Sequence, residues 1–176
     1  MLVRVEFVPA QHGELLNGFH CGNEEWAVEV ATWIQASETE DESAARQLER
    51  GHVDQVWLYF NDEKLIGFTS IGRQNWIVNE NGDSMPIIYI PYLGVSSAFQ
   101  GKKDLATGKS YFRSITIDLL KEAKARANRE ESLVGPHVQF GNLKGIGIYQ
   151  SYGFAICGEE DGKYYRMIAD VLSADL

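Results

Sequence analysis

The stretch Leu93-Gly94-Val95-Ser96-Ser97-Ala98-Phe99-Gln100-Gly101-Lys102-Lys103, running on to Gly108-Lys109-Ser110, carries residue types suited to holding phosphate. Glycines let anionic oxygens approach the backbone closely. A helix starting just after them would turn unpaired N–H groups and a partial positive charge toward the loop. Lys102, Lys103 and Lys109 add local positive charge to a chain whose formal net charge is -9. The bland alternative is a solvated loop whose glycines only turn the chain. Gly108-Lys109-Ser110 also matches the close of a nucleotide-binding P-loop. That motif needs its first glycine at position 103, where Lys103 stands, and Gly101 comes two residues too early. A P-loop-like nucleotide-binding protein is therefore kept as an alternative.

A second segment, Asn142-Leu143-Lys144-Gly145-Ile146-Gly147-Ile148-Tyr149-Gln150-Ser151-Tyr152-Gly153-Phe154, follows a predicted strand. Taken singly, Asn142 reads as a helix cap and Tyr149 as a core aromatic. Taken with Tyr92–Lys102, the segment resembles the GNAT superfamily of acyltransferases. There a strand and a Gln/Arg-x-x-Gly-x-Gly/Ala loop precede a helix, and Asn-x-x-Ala-x-x-x-Tyr-x-x-x-Gly-Phe follows later. Here Gly145 replaces the alanine, Lys103 stands at the first loop glycine, and residues 103–107 read as an insertion. Phe19-His20-Cys21-Gly22 resembles the opening of a branch that includes toxin-like acetyltransferases.

The resemblance implies an N-acetyltransferase that uses acetyl-CoA as acyl donor and an amine of a small molecule or peptide as acceptor. It implies that the strand at Leu93 and Val95 pairs with the pantetheine arm. Gln100, Gly101, Lys102, Gly108, Lys109 and Ser110 would hold the pyrophosphate. Asn142 would bond the pantetheine, and Tyr149 would protonate the departing thiolate. Family analogy also allows a homodimer, and a CoA-binding module without turnover.

Acyl transfer to an amine needs a base for the ammonium proton, an N–H for the oxyanion and an acid for the thiolate. The Val95 N–H is the oxyanion candidate. A tyrosine titrates near ~10 and a thiol near ~8.5, close enough for proton return. Glu80, Asp83 or a water held by Tyr89 are the base candidates. Cys21 beside His20 suggests a thiol nucleophile, but sequence neighbours usually point apart. His12, His20, His52 and His137 show no metal-ligand spacing.

These groups need a scaffold of mixed α/β or α+β class. The expected scaffold is a mostly antiparallel sheet flanked by helices, with two splayed parallel strands at the acyl-CoA site, in a single domain over residues 1–176. Strands are expected over residues 3–8, 53–60, 65–71, 76–78, 87–95, 133–140, 154–157 and 163–169. Pro91 should place a bulge or splay in the apolar run. Helices are expected after an Asn23 cap, over residues 44–51, over residues 110–128 and over residues 142–152. No apolar run reaches the ~18 residues of a membrane span. The alternation at residues 1–7 is unlike a secretory leader, and two cysteines suit a reducing cytoplasm. The acidic balance disfavours nucleic acid and suits a cationic acceptor.

Overall fold

Alternating apolar positions bounded by turn residues give eight strands in the computed structural model, which describes residues 2–37, 39–77 and 82–173. These are β1 (Leu2–Glu6), β2 (Gln55–Asn61), β3 (Lys64–Ile77), β4 (Ser84–Ile90), β5 (Leu93–Val95), β6 (Leu133–Gln139), β7 (Ala155–Glu160) and β8 (Tyr164–Asp170). Five helices accompany them: α1 (Pro9–His12), α2 (Glu25–Gln35), α3 (Ala44–Glu49), α4 (Tyr111–Arg126) and α5 (Leu143–Ser151). The strand order is β1-β2-β3-β4-β6-β8-β7, with β5 paired to β3. The β4–β6 pair is parallel, and the other registered pairs are antiparallel. The expected sheet class is therefore observed.

The chain divides into two compact units. One comprises residues 1–70 and 92–116, the other residues 71–91 and 117–176. Strand β3 and helix α4 run through both.

In the first unit, Trp33 of α2 stacks on Phe68 of β3 at 5.9 Å and lies 4.6 Å from Tyr92. Phe19, Ala27, Ala31 and Ile34 complete this apolar cluster. Asn23 was expected to cap α2, but the helix starts at Glu25 with Glu24 at the cap position and no side-chain cap bond. Ser43 does cap α3, its hydroxyl accepting from the Arg46 N–H at 3.1 Å. The β2–β3 hairpin turns at Asp62, whose φ is 53°.

Residues 65–71 and 76–78 were expected as separate strands. Lys64–Ile77 is instead one strand, because polar Arg73-Gln74-Asn75 pairs with β4 rather than turning. Val78 and the turn residues Asn79, Glu80 and Asn81 lie outside the described residues.

The apolar run at 87–95 breaks where Pro91 predicts. Gly72 faces Tyr89 and Thr69 faces Leu93, so three steps on β3 meet four on the partner, which is a one-residue bulge. In the second unit, the parallel ladder covers Ile88–Ile90 against Val134–Pro136. Pro91 and Pro136 have no N–H to donate, so the ladder loses donors where it ends. Asn142 caps α5, and Gly153, at φ 86°, ends the turn after it. Asp161 and Gly162 both take positive φ in the three-residue β7–β8 connection, which Lys163 N–H closes by donating to Glu160 O at 3.1 Å.

Candidate functional site

The donor half is built on β5. Ser96 N–H donates to Ile66 O at 2.8 Å and Ser70 N–H donates to Tyr92 O at 2.9 Å. By the alternation of an antiparallel ladder, Leu93 and Val95 then turn their own N–H and C=O groups away from β3. That is the geometry a strand needs to pair with an extended ligand.

Part of this edge is engaged by the protein itself. Gln100 Nε2 donates to Val95 O at 3.1 Å and also to Cys21 O. The Val95 N–H is directed at the Cys21 thiol. Cys21 is buried, and desolvation pushes its pKa up to about 12 despite that amide. A thiol so held stays protonated, which removes the Cys21–His20 nucleophile reading. His20 bonds instead to Ser97 Oγ, at 2.8 Å.

Residues 103–110 close on themselves. Lys103 and Ser110 form an antiparallel bridge, and Tyr111 N–H donates to Lys102 O at 3.1 Å. The chain therefore leaves at Lys102 and returns beside it, as an insertion would. Asp104, buried, is the organiser. Its carboxylate accepts from Ala106 N–H at 3.0 Å and from the Thr107 hydroxyl at 3.2 Å.

Gly101 and Gly108, at φ 74° and 67°, take the left-handed turns this path needs. The Lys102, Gly108 and Lys109 amides donate to Phe99 O, Asp104 O and Thr107 Oγ1. Ser110 caps α4, its hydroxyl accepting from Arg113 N–H at 3.3 Å. The Gly101 N–H has no such partner among the described residues. Lys102 Nζ sits 5.4 Å from the centre of the Phe99 ring.

This loop is no P-loop: its strand β5 is antiparallel to β3, and residues 103–110 form a closed turn rather than a phosphate cradle.

The second unit carries Asn142 and Tyr149 on α5. Asn142 Oδ1 accepts from Gly145 N–H at 2.9 Å, which leaves its Nδ2 as a donor. A Cβ at residue 145 would fall 2.7 Å from that Nδ2, so glycine gives the cap its room. Tyr149 is 6% exposed, and its ring packs edge-on against Phe154 at 5.2 Å. Burial pushes its pKa above the ordinary tyrosine value, so the phenol keeps its proton. Its hydroxyl makes no hydrogen bond to the described residues.

The sequence did not point to a third group of residues in this unit. His137 of β6 stacks on Trp76 at 4.8 Å, nearly parallel. Its Nδ1 is 3.2 Å from the Tyr89 hydroxyl. Its Nε2 lies 3.0 Å from Glu160 Oε2 but outside hydrogen-bonding alignment. A Cβ at residue 135 would meet the Trp76 ring at 2.5 Å, so Gly135 admits the indole. Of the sequence's base candidates, Tyr89 belongs to this cluster, Asp83 is exposed, and Glu80 lies outside the described residues. No cluster of metal-ligating residues occurs among the described residues, and no helix among them is long and apolar enough to cross a membrane.

The parallel β4–β6 pair, the bulged β4–β5 run, the loop into α4 and the β6–α5–β7 succession define the fold of the GNAT acetyltransferases. Solved structures bear this out. The chain matches a tyrosine-to-phenylalanine mutant of KacT with a TM-score of 0.70 at 12% identity, covering 98% of this chain and 96% of that one. It matches the corresponding kind of mutant of the AtaT toxin, bound to the C-terminus of the antitoxin AtaR and acetyl-CoA, with a TM-score of 0.67 at 12% identity. Coverage there is 98% of this chain and 95% of that one. Arabidopsis thaliana Naa50, in complex with the bisubstrate analogue CoA-Ac-MVNAL, gives a TM-score of 0.54 at 16% identity, covering 96% and 97%. No protein-family model matches the sequence, and no curated protein sequence matches it.

Proposed function

We propose that the chain is an N-acetyltransferase that moves the acetyl group of acetyl-CoA to an amine of a small molecule or peptide by direct attack. The observation that carries this is α5, where a capping Asn142 with a spare amide donor is followed, two turns on, by the Tyr149 phenol, whose hydroxyl makes no hydrogen bond to the described residues. The GNAT fold and the acetyl-CoA-bound toxin among its neighbours support the same donor.

The Gly101 amide and the Lys102 and Lys109 side chains are the groups best suited to the pyrophosphate, since the neighbouring amides and Ser110 serve the loop and helix. Leu93 and Val95 offer the outward strand edge to the pantetheine arm, once Gln100 and Cys21 yield theirs. Asn142 Nδ2 donates to the pantetheine. Tyr149 gives its proton to the thiolate as the carbon–sulfur bond breaks. The acceptor reading favours a protonated amine because the chain is strongly acidic. The Naa50 complex makes a peptide amine a sound first probe.

Thermal unfolding with acetyl-CoA, CoA and Mg-ATP tests the donor. A ligand at 100 times its dissociation constant adds about 2.7 kcal/mol, which for this size raises the midpoint by roughly 5–10 °C. The expected result is a shift with the two CoA species alone. A shift with Mg-ATP alone would overturn the proposal.

A further inference from the structure

Strand β1, in the first unit, ends the strand order, with β2 on one side and no strand on the other among the described residues. The Phe7 N–H donates to Val56 O at 2.8 Å, and Val5 and Val3 continue that register against Leu58 and Phe60. In an antiparallel ladder, alternate residues turn their main-chain groups to opposite sides. Phe7, Val5 and Val3 therefore serve β2, while Leu2, Arg4 and Glu6 turn theirs to the outer edge. The edge stops at Val8, whose N–H donates to His12 Nδ1 at 2.9 Å as α1 begins. By the same alternation Val3 and Val5, 45% and 36% exposed, lie on the face of buried Phe7.

Charged residues on an edge strand ordinarily keep it from pairing. Here the two charges have opposite sign and stand two residues apart, which selects one pairing instead of forbidding all. A two-fold axis at Arg4 would set Arg4 against itself, and an axis at Glu6 would set Glu6 against itself. An axis at Val5 sets each Arg4 against the Glu6 of the other copy. The opposite end of the strand order offers no such match. Strand β7 carries Glu159 and Glu160 and no cation, so two copies of it repel.

We propose that two copies of this chain join through the outer edges of β1, antiparallel, with the two-fold axis at Val5. Arg4 and Glu6 exchange main-chain hydrogen bonds with Glu6 and Arg4 of the second copy, and their side chains pair across the strands. The Arg4 guanidinium rests 4.8 Å over the Trp57 ring and has donors to spare for a carboxylate. Glu6 accepts from Gln55 Nε2 at 3.4 Å and has acceptor sites to spare. The Val5 side chains meet at a non-hydrogen-bonded position, where side chains lie close, and cover apolar surface that a single copy exposes. One short strand buries little area, so the dimer is a weak and exchanging one. This association does not depend on the acetyltransferase reading.

The test is sedimentation velocity on the full chain from roughly 10 µM to 1 mM. It compares the wild type, Arg4→Glu, Glu6→Arg and the double variant, each checked for an unchanged melting profile. The wild type should pass from monomer to dimer across that range. Either single reversal sets like charges face to face and should weaken the dimer by about tenfold or more. The double variant should restore it. The two single variants, mixed, should pair with each other, because every facing pair is again of opposite sign. Salt at about 0.5 M should weaken the wild-type dimer, a readout that needs no variant. A wild type that stays monomeric throughout, or a dimer indifferent to both the reversals and salt, would overturn the proposal. A mixture no more associated than its two components would overturn the register at Val5.

Discussion

The loop at residues 96–110 and the cluster around His137 spend their polar groups differently. In the loop, Asp104, Thr107, Gln100 and Ser110 bond back to the protein, so the segment holds its shape without a ligand. In the cluster, the His137 Nε2 and Arg166 Nε atoms are buried with no aligned partner among the described residues. A preformed loop suits a large anionic donor that must dock in one register. A cluster with unspent polar atoms carries a desolvation cost that the loop avoids.

The difference predicts where substitutions hurt stability and where they hurt turnover. The largest stability effect should come from Gly67→Ala beside β5. Its Cβ would lie 2.3 Å from the Gly94 carbonyl oxygen, a backbone atom that cannot swing aside. A loss of about 3 kcal/mol by denaturant titration is expected; a loss under ~1 kcal/mol would show that β5 is looser than its register implies.

Asn142→Ala should cost about 1 kcal/mol of stability through the lost cap. Asn142→Asp keeps the cap oxygen and removes the Nδ2 donor, so it should preserve stability while raising the KM for acetyl-CoA. Equal kinetic parameters in Asn142→Asp and wild type would leave Asn142 as a cap only.

A smaller, pH-dependent effect should trace to the cluster. The folded His137 pKa lies below the unfolded one, so the unfolded chain binds more protons as pH falls through 6.5 toward the folded value. Stability should therefore be flat above that pH and decline below it, and His137→Gln should remove this part of the decline. Denaturant midpoints across the acid range would show it.

Thiol labelling gives the mildest contrast. Half-buried Cys157 should react slowly, and Cys21, pushed up to about 12, only on unfolding.

What could be read in the sequence divides along the same line. The loop, α4, α5 and the Pro91 bulge were legible because each depends on residues adjacent in the chain: glycines at turns, a proline in a strand, an asparagine before a helix. The long β3 was misread because Arg73-Gln74-Asn75 looks like a turn until β4 is laid beside it. The cap of α2 was misplaced by one residue, from Asn23 to Glu24. The His137 cluster was out of reach for a stronger reason. Its members stand at positions 76, 89, 137 and 160, and only strand order and register bring them together. One signal was present: a histidine directly after Pro136, in a strand pairing with the one that holds Tyr89.

The most direct measurement is the release of free CoA thiol from acetyl-CoA by the wild type and Tyr149→Phe, with and without the amine panel. The account predicts amine-dependent release by the wild type and a fall of about 100-fold in Tyr149→Phe, with acetyl-CoA still raising the melting temperature of both. Thiol release that is absent with every amine, or undiminished in Tyr149→Phe, would contradict it.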